Sequence, residues 1–182
     1  MGLVPEEHDY DGWIEQLAIP YRASQAYRHL LGNRDCLPAI QRGARHRDPA
    51  VRAYCCRLLD HLADEDSFEL LIAVLDDPDP GTRASALHAL ACDRCKTGVA
   101  TPSKERLLGP AIDMLLHDPA SGVRAAAAEV VGKWVHEDPS AVEALCRAAR
   151  SDSSPSIRKK ASWYAPNGSI YRRTQPRNFV GH

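Results

Sequence analysis

Cys92 and Cys95 stand two residues apart in the stretch "LHALACDRCKTGVATPSKERLL", Leu87 to Leu108, with His88 one helical turn before the first. A C-x2-C pair supplies two of the four N or S ligands that a structural zinc site takes, and His88 is a geometrically reasonable third. No second C-x2-C completes such a site; only a particular packing would bring Cys146 near. A redox dithiol normally sits in a thioredoxin-like βαβ setting, which this sequence does not offer. The third reading is a plain loop: in "KTGVATPS", Gly98 stops a helix and Pro102 stands near the next start. Loop, zinc site and redox couple all stay open at this stage, with no other cofactor indicated.

Other chemistry is thin. The adjacent Cys55 and Cys56 lie about 100° apart on a helix, so at most one is expected to point squarely into a core. The histidines are scattered and form neither an H-x3-H pair nor an HExxH, and no Gly-rich phosphate loop, nucleophile elbow or paired-carboxylate arrangement is present. The expectation is a protein without catalysis of its own.

The chain has 182 residues, 44% of them hydrophobic, enough for one substantial core. Its 23 basic and 24 acidic residues argue against a surface that is basic throughout. No apolar run reaches the roughly 20 residues that span a bilayer, so no membrane partner is expected. The start "MGLVPEEHDYDGW" has acids where a secretory signal has basic residues. Reduced thiols and a cytoplasmic location are the matching expectation. Charge is uneven, however: Met1 to Pro20 carries only acids, and Ser156 to His182 only bases, namely Arg158, Lys159, Lys160, Arg172, Arg173 and Arg177.

The elements that position these residues come from a repeat. "DPAVRAYCCRLLDHL" from Asp48, "DPGTRASALHALA" from Asp79, "DPASGVRAAAAEVVGKW" from Asp118 and "SPSIRKKASWYA" from Ser154 each place Pro, a β-branched residue and Arg ahead of a small-residue helix. "IPYRASQAYRHLLG" from Ile19 is a weaker fifth match. The arginines fall at 22, 52, 83, 124 and 158, and removing about ten residues between Cys92 and Pro102 restores the one long interval. Asp48 or Asp79 reads as an N-cap with Pro49 or Pro80 at the first helical position. Helical apolar spacing precedes these turns, in Leu70, Leu71, Val74 and Leu75, in Leu108, Ile112, Leu115 and Leu116, and in Val142, Leu145 and Ala149. Each unit is therefore a helix pair, and stacked pairs bury a continuous core that one pair cannot. Alanines at 84, 86 and 125 to 128 allow neighbouring helices to approach closely.

This signature resembles the HEAT-repeat family, in particular the short HEAT-like repeats of the phycobilisome-lyase type with a "D-P-x-V-R-x-x-A" core, from about Pro20 to Pro166. The resemblance implies an all-α, right-handed α-solenoid of about four to five stacked helix pairs. It would occupy residues 1–166, with 92–103 as an inter-repeat insertion and 167–182 as a basic tail, either a disordered arm or a segment folded back over the end of the stack. It also implies a structural ladder in which Arg52, Arg83, Arg124 and Arg158 pair with the turn acids Asp48, Asp79 and Asp118 of neighbouring repeats. "DPASGVR" is two residues longer than its partners, and Ser154 replaces the Asp in the last unit.

In such solenoids the second helices line the face that binds a partner. Five residues after each signature arginine stand Arg57, His88, Glu129 and Trp163. These are the expected contacts for a protein partner, or else ordinary solvent-facing positions. A nucleic-acid partner through the basic carboxyl end is the rival reading. A bilin-lyase-like activity, known among short HEAT-like repeats, is another, although fold resemblance is a poor warrant for an activity.

Overall fold

The structure is a computed structural model, and it describes residues 4–92 and 102–176. Every regular element among these residues is helical. The chain divides into two compact units, Met1–Pro102 and Ser103–His182. In the first, α1 (Tyr10–Gln16), α2 (Pro20–Leu31), α3 (Leu37–Gly43), α4 (Pro49–Leu62), α5 (Glu65–Ala73) and α6 (Pro80–Ala91) are joined by tight turns, with short 3-10 turns at Arg34–Cys36 and Val74–Asp76. In the second, α7 (Lys104–His117), α8 (Ser121–Gly132), α9 (Pro139–Ser151) and α10 (Pro155–Tyr164) are followed by the short α11 (Ser169–Thr174).

Each helix start has a local cause. Asp48 and Asp79 cap α4 and α6 by accepting the backbone N–H groups of Ala50 and Thr82, with Pro at the first helical position of both. Asp64 and Ser67 cap each other's backbone N–H groups at the start of α5, a reciprocal box. The two extra residues of "DPASGVR" shift the start of α8 to Ser121, with Ala120 in the N-cap position instead of Asp118. Counted back from the signature arginine, Ala120 therefore matches Asp48, Asp79 and Ser154.

Packing within each unit follows the logic of stacked pairs. In the first unit α1, α3 and α5 pair with α2, α4 and α6, while α4 also packs on both α2 and α6. In the second, α7 pairs with α8 and α9 with α10, with α7 against α9 and α8 against α10. Like helices thus lie beside like, and an inner helix is covered from several sides. That corrects one expectation: Cys55 and Cys56 are both fully buried, because α4 has neighbours on both flanks as well as its own partner α3. Burial pushes their thiols up, Cys56 to about 12, and Cys36 likewise to about 11, so these sulfurs are packing atoms.

Small residues sit where helices come closest. Ala86, Ala127 and Ala128 are completely buried. A Cβ on Gly43 would stand 2.6 Å from Cys55 Sγ across the α3–α4 contact, and one on Gly132 would run into the ring of Tyr164 across α8–α10. At the amino end, buried Trp13, Ile14 and Leu17 close the first unit, with Trp13 stacked on His29 at 4.2 Å and its indole N–H donated to the Glu6 carbonyl. At the carboxyl end the segment after Pro166 is not simply an arm. Asn167 takes a left-handed φ of 70°, and α11 then brings Tyr171 to 4.4 Å from His136, whose Nε2 hydrogen-bonds Thr174. Phe179 and Val180, apolar residues of the same tail, lie outside the described residues.

Candidate functional site

The signature arginines form a fixed turn motif, with partners that differ from those expected. Four of the five send Nη1 back to the carbonyls six and five residues earlier: Arg52 to His46 and Arg47, Arg83 to Asp77 and Pro78, Arg124 to Asp118 and Pro119, and Arg158 to Asp152 and Ser153, whereas Arg22 Nη1 donates to Gln16 Oε1. Where the guanidinium reaches the following turn, the carboxylate it meets is not the N-cap acid. Arg52 clamps Asp77 with two 2.7 Å hydrogen bonds, and Arg124 clamps Asp152 at 2.7 and 2.9 Å. Asp48 and Asp79 are already committed to capping helix N–H groups. The side chain six residues before the arginine has its own repeated task. Asp77, Asp118 and Asp152 each accept the backbone N–H two residues on, and His46 does the same with Nδ1.

These bidentate pairs are largely removed from solvent, with side-chain exposures of 13% and 9% for Arg52 and Asp77 and 10% and 6% for Arg124 and Asp152. Burial alone would raise both carboxyls; hydrogen bonds from the arginine and from the turn N–H outweigh it and hold both below the ordinary carboxylate range. Both pairs tie one turn to the next, and their burial gives them a structural role.

The surface of α2 and α4 carries the first candidate site. Ser24, Tyr27 and Arg28 from α2 face Tyr54 and Arg57 from α4 across an open groove of about 450 Å³. The two tyrosine rings lie 6.1 Å apart, the Arg57 guanidinium sits 5.8 Å from the Tyr54 ring, and Tyr27 Oη reaches the Arg57 carbonyl at 3.4 Å. No carboxylate lines this groove, so its two arginines present uncompensated positive charge beside aromatic faces. Of these residues the sequence reading named Arg57 alone. The available signal was that Tyr27 stands five residues after Arg22, as Arg57 stands five after Arg52, with Tyr54 at i, i+3 from Arg57.

The equivalent positions elsewhere are put to different use. His88 on α6 is exposed and approaches the buried carboxylate of Asp60, Nε2 to Oδ2 3.6 Å. Glu129 on α8 is bound by Lys160 of α10. Trp163 is 40% exposed on α10, while its neighbour Tyr164 packs over Gly132. The carboxyl-terminal bases are not one free cluster: Arg158 is held by turn carbonyls and Lys160 by Glu129, which leaves Lys159, Arg172 and Arg173 outward. Arg177 lies outside the described residues.

Cys92 ends α6, its backbone N–H bonded to the His88 carbonyl at 3.0 Å. Its Sγ, a nitrogen of His88 and a carboxylate oxygen of Asp60 all lie within 4.8 Å of one another. Cys95, the expected partner of Cys92, lies outside the described residues. Asp60 was not foreseen; it is 28 residues from His88 in sequence and reaches it only because α4 packs on α6.

Fold and surface together define a stacked helix-pair repeat protein with an exposed second-helix face. The family model for HEAT repeats matches residues 15–101, in line with the repeated signature. Among solved structures, the complex of CpcE and CpcF of phycocyanin lyase from Nostoc sp. PCC7120 aligns with a TM-score of 0.71 at 18% identity, covering 87% of this chain and 99% of that one. An engineered protein aligns with a TM-score of 0.51 at 17% identity, covering 85% of this chain and 78% of the other. At such identities the likeness is one of fold. No curated protein matches the sequence. Among the described residues no helix is long and apolar enough to cross a membrane.

Proposed function

We propose that this chain is a HEAT-repeat adaptor that binds a protein partner through the second-helix face of its first unit, without catalysis of its own. The observation that carries this reading is the α2–α4 groove, where Tyr27, Tyr54, Arg28 and Arg57 stand together with no lining carboxylate. Tyrosine and arginine are the side chains most enriched at interface hot spots, since each covers large area and also hydrogen-bonds. The unbalanced charge selects an acidic partner segment, with aromatic or aliphatic anchors against the tyrosine rings.

The test is quantitative affinity purification from extracts of the native cell, comparing wild type with Arg28→Glu/Arg57→Glu. Arg147→Glu, a charge reversal at an exposed position on α9, serves as the control. A partner that is lost from the double variant, retained by the control and weakened by salt supports the reading. A partner set indifferent to both arginines defeats it.

A second reading is favoured by the likeness to a phycocyanin-lyase structure. There the same groove would take the carboxylate-bearing face of a linear tetrapyrrole, and the chain would act as a lyase subunit. Mixing the protein with a free bilin separates the two. A shifted and intensified visible band that Arg57→Glu abolishes favours the lyase reading; an unchanged spectrum leaves the adaptor.

A further inference from the structure

Where the chain leaves α6 to enter residues 93–101, three side chains of different chemistry converge. Asp60 belongs to the last turn of α4, His88 to the last turn of α6 and Cys92 to its C-cap, and their donor atoms lie within 4.8 Å of one another. Their chemistry is one carboxylate oxygen, one imidazole nitrogen and one thiolate sulfur. That mixed set suits zinc and its borderline-soft neighbours, whereas calcium and magnesium take oxygen.

The geometry is close to that of such a site. Metal bonds of about 2.0–2.3 Å at tetrahedral angles place neighbouring ligand atoms about 3.3–3.7 Å apart. His88 Nε2 stands 3.6 Å from Asp60 Oδ2, beyond the usual hydrogen-bond distance and just outside the separation of about 3.3–3.5 Å that an N and an O ligand take on one ion. Asp60 is also almost wholly buried, at 3% exposure. The histidines at 61 and 88 both approach the same oxygen, His61 Nε2 at 3.9 Å.

We infer that Asp60, His88 and Cys92 form a site for a single zinc-class divalent cation. The site ties the carboxyl-terminal end of α4 to that of α6. Its fourth position is left to water or to a further donor. His88 then has a purpose distinct from partner contact, although it stands at the same helical position as Arg57.

The experiment uses the full, untagged chain, stripped with a chelator under reducing conditions and titrated with cobalt(II). Expected are saturation at about one equivalent, visible bands of tetrahedral intensity, a near-ultraviolet thiolate-to-cobalt band, and displacement of all of these by zinc. His88→Ala, at an exposed position, and Cys92→Ser are each expected to lower cobalt affinity tenfold or more, and Cys92→Ser to abolish the thiolate band. Asp60→Asn is expected to weaken binding similarly; because Asp60 is buried, its folding is checked by circular dichroism, and the two exposed-side variants carry the test if it fails to fold.

Zinc is expected to raise the melting temperature of the wild type and not that of His88→Ala. The inference is overturned if cobalt does not bind, or if binding survives both His88→Ala and Cys92→Ser. It is equally overturned if binding depends on Cys92 and Cys95 while ignoring His88→Ala and Asp60→Asn.

Discussion

The second-helix surfaces of the two units are built on the same repeat, yet they handle charge in opposite ways. On the first unit, Arg28 and Arg57 stand beside tyrosine rings in a groove with no acid in its walls. On the second, the position equivalent to Arg57 is Glu129, and Lys160 of the next helix neutralises it. A solvent-facing site of a repeat is free to vary because the fold does not depend on it; the first unit spends that freedom on an outward charge, the second on an internal pair. The turn ladder shows the reverse behaviour. Arg52–Asp77 and Arg124–Asp152 are nearly superimposable in their partners and burial, because those positions set how one pair seats on the next.

The ladder is where the largest losses are expected. Asp77→Ala and Asp152→Ala should each cost about 3 kcal/mol of stability, since each strands a mostly buried guanidinium, and the two losses should be alike. Denaturant unfolding of both variants checks this, and a loss in one unit only would break the equivalence of the ladders.

Next comes packing. Gly132→Ala drives a methyl into the Tyr164 ring and should cost roughly 1–3 kcal/mol, with recovery in Gly132→Ala/Tyr164→Leu. Recovery of the melting temperature in the double variant would show that the clash, and not helix propensity, sets the sign.

The ladder also dictates a pH dependence. Asp77 and Asp152 titrate lower in the folded chain than in the unfolded one, so their stabilisation is complete above the ordinary aspartate value. It is lost progressively as pH falls below about 4. Unfolding midpoints measured down that range should drop steeply in wild type and less in Asp77→Asn.

The smallest effect is expected at the second-unit pair. Lys160→Met should change stability by less than about 1 kcal/mol, because Glu129 is 40% exposed and water replaces its partner. A larger loss would mean that this pair belongs with the ladder, which would sharpen the contrast between the units.

Much of this was readable in the residues. The "D-P" starts of α4 and α6, the repeated Arg and the small-residue helices led to stacked pairs before any coordinates. Asp48 and Asp79 are not the acids that Arg52 and Arg124 clamp, and alignment on "D-P" hides the register: "D-P-D-P" offers two acids, and capping claims Asp79 while Asp77 is left for Arg52. Alignment on the arginine, six residues after Asp77, Asp118 and Asp152, would have found the right ones. On α7 the expected Leu108 and Leu115 are buried, joined by Leu107, Ala111 and Met114, while the expected Ile112 and Leu116 are only partly so.

The sequence by itself determined the helix pairs, their caps and the arginine that marks each turn, because these rest on contacts within a few residues. The tertiary structure alone decided which carboxylates Arg52 and Arg124 clamp, that Cys55 and Cys56 are both buried, that Tyr27 and Arg28 share a groove with Tyr54 and Arg57, and that Asp60 meets His88 and Cys92. Each of these joins residues about 25 or more apart along the chain, or depends on neighbours that only stacking supplies. Local preference can place a side chain on a helix face; what stands opposite depends on how one helix pair seats on the next.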